Sequence, residues 1–190
     1  IHDATSAAMV SAMAYPLAER GAHIGVLVGT AYLGTNEIVT TGALHPVFQE
    51  AVLQHHRTVV VQTGPGHVTR CLDTPFVQAF AEKKEALIAQ NLPAETIWQE
   101  LENLNLGRLR VAAKATTHGD HSIDEQTQRN EGMFMVGDAV QMMHDKQSIA
   151  SLHQSICNGS QHILQTFQSK TYSQKQTAKK GKSQKLFEPI

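Results

Sequence analysis

The sequence predicts an α/β fold, and three observations carry that expectation. Residues Ile24 to Val28 are apolar or glycine on both alternating faces, the pattern of a strand buried on both sides. A Gly29-Thr30 turn follows directly and leads into a helical stretch. Helical segments with apolar periodicity lie before and after it, which gives the helix–strand–helix rhythm of α/β domains.

Taken in order, Asp3 is a good N-cap for a helix over Ala4 to Ala14, which is rich in strong helix formers. Met9, Val10, Met13 and Leu17 recur at three- and four-residue spacing and form its expected buried stripe. Pro16 should kink or restart the helix, and Gly21 should end it. Pro46 to Gln54 reads as a helix with Val47, Ala51 and Val52 inward. Thr58 to Val61 is β-branched and reads as a strand, broken by Gly64-Pro65-Gly66. Pro75 opens a helix with Phe76, Phe80, Leu87 and Ile88 on its apolar side. Pro93 restarts a second one that buries Ile97, Trp98, Leu101 and Leu104 and ends at Gly107. Thr116 to Asn130 is polar and without period, as expected of a surface loop, and Gly132 to Met143 is apolar and Met-rich. Ser148 then caps a long amphipathic helix carrying Ile149, Leu152, Ile156, Ile163 and Leu164, interrupted at Gly159. Residues 168–190 change character: six lysines stand among Ser, Gln and Thr, the composition of a linker.

The 190 residues suffice for one sizeable domain with a core. A net charge of −1 gives no global field toward nucleic acid or an acidic membrane. Two cysteines make no disulfide framework, so a reducing cytoplasm is expected. The longest apolar run is too short to span a bilayer. The opening at Ile1-His2-Asp3 and the close at Phe187-Glu188-Pro189-Ile190 suggest a fragment of a longer protein.

Chemistry is most densely suggested at Gly25-x-x-x-Gly29-Thr30. Backbone N–H groups at a glycine turn opening a helix can cradle a phosphate. The same glycines also suit a strand against which helices pack tightly, and both readings stand on pattern alone. No lysine follows the Gly-Thr pair, so this is not a P-loop. His118-Gly119-Asp120-His121 has the residue types of a metal cluster but loose spacing, and surface histidines are the better reading; no metal site is expected. His55 and His56 are expected to face solvent. His67 follows Gly64-Pro65-Gly66 and is a candidate to face a substrate. Cys71, beside Arg70, reads as a buried small hydrophobe rather than an activated thiol. Trp98, Met133, Met135, Met142 and Met143 read as core.

Residues Gly25 to Glu37 resemble the last barrel strand of nitronate monooxygenase (2-nitropropane dioxygenase)-like flavoproteins, whose pattern there is close to G-V-Q-M-G-T-x-F-L-x-T-x-E. Ile1-His2-Asp3-Ala4 resembles the tail of that family's G-G-I-x-D-A phosphate loop, whose glycines would then precede residue 1. Thr58 to Arg70 with Thr74-Pro75-Phe76 is similar to its strand-plus-R-x-x-x-N-x-F segment, and Gly132 to Gln141 to its closing G-x-x-x-x-G-Q helix. Gly25 to Leu33, Thr63 to Cys71 and Leu104 to Arg110 are most similar to the branch embedded in polyketide and polyunsaturated fatty acid synthases. Glu188-Pro189-Ile190 looks like the opening of a ketosynthase domain.

The resemblance implies the C-terminal part of a TIM (β/α)8 barrel, its last strand and flanking helices, followed by a mainly helical segment. Residues 1–167 would be the barrel portion and residues 168–190 an interdomain linker. It implies FMN as cofactor, with Gly29 and Thr30 holding the phosphate through backbone N–H groups, and NAD(P)H as a possible electron donor. An acyl group on a carrier protein would be the substrate and a downstream ketosynthase the partner, with neither nucleic acid nor membrane involved. The family's catalytic histidine would lie upstream of residue 1, so no catalytic residue is carried over. Leu27 stands where the family often has Gln, and Asp138 where its closing helix usually has Gln. These departures leave room for a second reading, a degenerate non-catalytic barrel kept for docking or spacing.

Overall fold

A computed structural model describes residues 1–55, 57–117, 119 and 121–171. The chain divides into two compact units. One holds residues 1–27 and the described residues from 150 onward; the other holds residues 28–149.

In the first unit, α1 spans Ala4–Glu19. Its start is fixed by a reciprocal pair of bonds: the Asp3 carboxylate accepts the Ser6 N–H at 2.8 Å, and the Ser6 hydroxyl oxygen accepts the Asp3 N–H at 3.1 Å. Its end is a Schellman turn. Gly21 takes φ +87°, Gly21 N–H donates to Ala18 O at 2.9 Å and Ala22 N–H to Leu17 O at 3.1 Å. The helix continues through Pro16. Its buried face corrects the expected one, because Ala7 and Ala8 are buried while Met9, Val10, Met13 and Leu17 are exposed. Small residues face inward because a second helix crosses at contact distance. That helix begins as α8 (Ile149–Gln154), widens into one π turn over Ser155–Gly159, and continues helically through residues 160–171. A Cβ built on Gly159 would lie 2.8 Å from the Ala4 Cβ, so the glycine sits at the crossing. Residues 168–171 fall within the linker reading; residues 172–190, and with them the ketosynthase-like end, lie outside the described residues.

The expected strand at Ile24 to Val28 is absent. The segment has no regular structure, and Ile24, Val26 and Leu27 are exposed, Leu27 at 88%. A strand is held by ladder bonds to neighbours, and no described residue pairs with this one.

The second unit is helix-rich with a two-stranded sheet. The helix expected after Thr30 is instead a 3-10 turn over Thr30–Gly34 followed by the short α2 (Asn36–Thr40). The Thr35 hydroxyl donates to Tyr32 O at 2.7 Å and separates the two pieces. Then come α3 (Pro46–Gln54), β1 (Thr58–Gly64), β2 (His67–Leu72), α4 (Pro75–Ala89), α5 (Ala94–Asn105), α6 (Arg108–Lys114) and α7 (Glu125–Glu131). β1 and β2 pair antiparallel with Val59 opposite Cys71 and Val61 opposite Thr69, around a turn where Gly66 takes φ +77°. α7 replaces part of the expected loop. It forms because the Asp124 carboxylate accepts the Thr127 N–H at 2.8 Å and the Thr127 hydroxyl at 2.9 Å, a local cap that polar composition concealed.

Residues 132–137 are extended rather than helical. Leu72 N–H donates to Phe134 O at 3.0 Å and Val136 N–H to Arg70 O at 3.1 Å, which lays this segment along the free side of β2. Its side chains alternate between two apolar clusters. Phe134 and Val136 join Phe48, Ala51, Val52 and Leu72; Met133 joins Val61, Cys71, Phe76, Phe80 and Leu101, with Met135 packed alongside.

Gly159→Val is expected to lower the unfolding free energy by about 1–3 kcal/mol in urea titration, the usual cost of overpacking. A gain in stability, which helix propensity alone favours when glycine is replaced, would contradict the crossing.

Candidate functional site

Gly29 caps the 3-10 turn, and Tyr32 N–H closes back on Gly29 O at 3.0 Å. The amides of Thr30 and Ala31 open that turn and have no carbonyl one turn behind them. A Cβ on Gly29 would meet nothing within 4 Å, so its surroundings are open.

Thr30 ties this turn to a second one. Its hydroxyl oxygen accepts the Gly137 N–H at 2.7 Å, and Gly137 caps the 3-10 turn Asp138–Met142. A Cβ on Gly137 would stand 2.7 Å from Thr30 Oγ1, so glycine is required there by close approach. The other end of the first turn is pinned from α3. The buried Gln49 side chain donates through Nε2 to Leu33 O at 3.0 Å and to Thr35 O at 2.8 Å. Gln49 went unnoticed in the sequence; a glutamine inside an otherwise apolar helix face, beside Phe48, Ala51 and Val52, was the available signal.

Asp138 follows Gly137 and opens the second 3-10 turn, and its charge is engaged. Its Oδ1 accepts Thr58 Oγ1 at 3.0 Å and Gln141 Nε2 at 3.0 Å, and Arg70 Nη1 lies at 3.2 Å. Arg70 Nη1 also donates to Thr58 Oγ1 at 2.9 Å. The pair is largely solvated, so it contributes position more than stability. Arg70 reaches this spot because β2 register turns it toward Thr58 of β1.

The other candidates fall elsewhere. His67 Nδ1 lies 2.6 Å from Glu102 Oε1 on α5, an oxygen that also accepts the Thr63 hydroxyl. The Thr63 bond first, then His67, holds the Glu102 carboxyl below the usual value. His55 turns back onto Ala51 O at 3.0 Å. His56, His118 and Asp120 lie outside the described residues, and with them the metal-like His118 to His121 reading. Cys71 is fully buried, and burial, helped by the Asp73 charge, pushes its thiol up to about 11. It is therefore protonated and inert at neutral pH. Trp98 and Met142, expected in the core, are partly exposed. Trp98 borders a cavity, and Met142 ends the second 3-10 turn.

Gln49→Leu, which keeps the volume but removes the donor, leaves two carbonyls unpaired and is expected to cost about 1–3 kcal/mol of unfolding free energy in urea. For the thiols, iodoacetamide at pH 8 should label one cysteine, the exposed Cys157, in the native protein and both after denaturation. Native labelling of Cys71 would contradict its burial.

No protein-family model matches the chain, and no curated protein matches it at the level of sequence. Among solved structures, the chain is similar to FabK from Thermotoga maritima, at 24% identity and TM-score 0.61, covering 89% of this chain and 44% of that one. A methionine-to-alanine mutant of the same protein matches at 22% identity and TM-score 0.55, covering 89% and 42%. The chain thus spans under half the length of these structures, and the likeness is one of fold: a helix-rich α/β arrangement corresponding to part of a barrel protein.

Proposed function

We propose that residues 1–167 are part of an FMN-dependent oxidoreductase barrel, nitronate monooxygenase-like or enoyl-reductase-like, and that Gly29 and Thr30 hold the flavin phosphate. The observation that carries this is the tie between two turns. Thr30 fixes itself to Gly137, and the space beside Gly29, which caps the turn, is open. Neutral amides suit a phosphate dianion, since they offer positive partial charge without a counterion. The neighbouring carboxylate is compatible with an anion because Arg70 offsets the charge of Asp138. The fold likeness to FabK lies within the superfamily that the sequence resembles, which supports the same reading.

Bound FMN would supply the redox chemistry, while this chain would bind and orient its phosphate end. NAD(P)H is proposed as electron donor and a carrier-bound enoyl or acyl thioester as substrate. The setting is a cytoplasmic polyketide or fatty acid synthase with a ketosynthase following residue 190. Because the chain spans under half of FabK, the remaining strands of such a barrel would have to complete the site. Among the described residues, no helix is long and apolar enough to cross a membrane.

A second reading is a non-catalytic barrel retained for docking. The exposed Leu27, where the resembling family often has a polar Gln, favours it. Flavin titration separates the two. Flavin absorbance in the purified protein, or saturable uptake of added FMN, supports the first; a folded, colourless protein that takes up none overturns it. Gly29→Val should weaken FMN binding at least ten-fold with the fold intact by circular dichroism, and unchanged affinity would refute the phosphate assignment.

A further inference from the structure

We propose that a cavity between β1, α4 and α5 binds a small apolar carboxylate, with Lys84 taking the anion and Trp98, Ile97, Ile88 and Leu101 enclosing the apolar body. This site is independent of the flavin reading. The cavity measures about 260 Å³. An apolar cavity of about 150 Å³ admits benzene, whereas drug-sized ligands occupy about 300 Å³ or more. The volume therefore suits a ligand of roughly six to ten heavy atoms, by that comparison.

Its apolar walls come from two helices, while β1 adds Gln62, Thr63 and Gly64 along one side. α4 contributes Ile88, and α5 contributes Ile97, Trp98 and Leu101. Leu101 is buried at the base, but Ile88 and Trp98 remain 53% and 38% exposed. Two large apolar side chains left open around one concavity are what a ligand of matching polarity would cover. Gly64 shapes the floor, because a Cβ there would stand 3.4 Å from the Trp98 ring, and its absence lets the indole lie against the hairpin.

Lys84 is the one charged residue among those lining the cavity. Its ammonium donates to Gln62 O at 3.2 Å, and among the described residues no carboxylate lies within ion-pair distance of it. Two of its three N–H donors thus remain for a ligand. No carboxylate is among the residues that line the cavity, and Glu102, on the same helix as Trp98, pairs through Oε1 with Thr63 and His67. An ammonium at the rim of an apolar cavity selects an anion with an apolar tail over a neutral or cationic equivalent, because the charge-assisted bond is the stronger one.

Trp98 is the single tryptophan of the sequence, so its fluorescence reports this cavity alone. Hexanoate titrated into the full chain is expected to change that emission saturably. Hexanol, which lacks the charge, and acetate, which lacks the tail, should each bind at least ten-fold more weakly. Lys84→Gln should weaken hexanoate at least ten-fold while leaving the weak hexanol response and the circular dichroism spectrum unchanged. Ile97→Ser should weaken hexanoate and hexanol together. No saturable change, equal binding of hexanol, or unaltered hexanoate affinity in Lys84→Gln would each overturn the proposal.

Discussion

Four extended residues, 133–136, hold the unit of residues 28–149 together, because they separate two apolar clusters while belonging to both. Met133 and Phe134 are almost wholly buried, on opposite sides of one backbone. That arrangement works only if the backbone between them is extended and its polar groups are paired. β2 supplies the pairing, through Leu72 to Phe134 and Arg70 to Val136. Gly132 makes the entry possible: a Cβ there would stand 2.6 Å from Gln128 O and 2.9 Å from the Ala112 Cα. Helices α6 and α7 therefore close onto the start of the segment, and β2 lies along it.

The candidate site is a direct extension of this seam. Val136 is its last buried residue, and the next, Gly137, donates to Thr30. Arg70, whose carbonyl pairs with Val136, sends its side chain to Asp138, one residue further on. The two turns are therefore positioned by backbone pairing in the core, and Gln49 fixes the remaining end. The site's geometry follows from core register more than from contacts among its own polar groups, most of which are solvated.

Much of this was legible in the sequence. Pro46 and Pro75 marked true helix starts, Thr58 to Val61 a true strand, and Asp3 and Gly21 the true ends of α1. Local signals succeeded where a residue's own stereochemistry settles the outcome. Failures came where a neighbour distant in sequence decides. Met133 to Val136 is apolar throughout, which a short buried strand and a buried helix share, and only the approach of β2 selects between them. Ile24 to Val28 has strand composition without ladder partners among the described residues, so its pattern alone could not make it a strand. On α1, the Met and Val stripe looked more burial-prone than the alanines, but a close helix crossing favours the smaller side chains. At the site, Gly29 and Thr30 stood out as a turn; their connection to Gly137 did not, since nothing local to either residue encodes it.

That connection differs from the hairpin beside it in the chain entropy its closure costs. The β1–β2 hairpin joins residues a few positions apart and incurs little loop-closure entropy. The Thr30–Gly137 bond joins residues 107 positions apart, so the loop it closes is far longer. The candidate site therefore rests on a contact with a larger loop-closure entropy than the hairpin beside it.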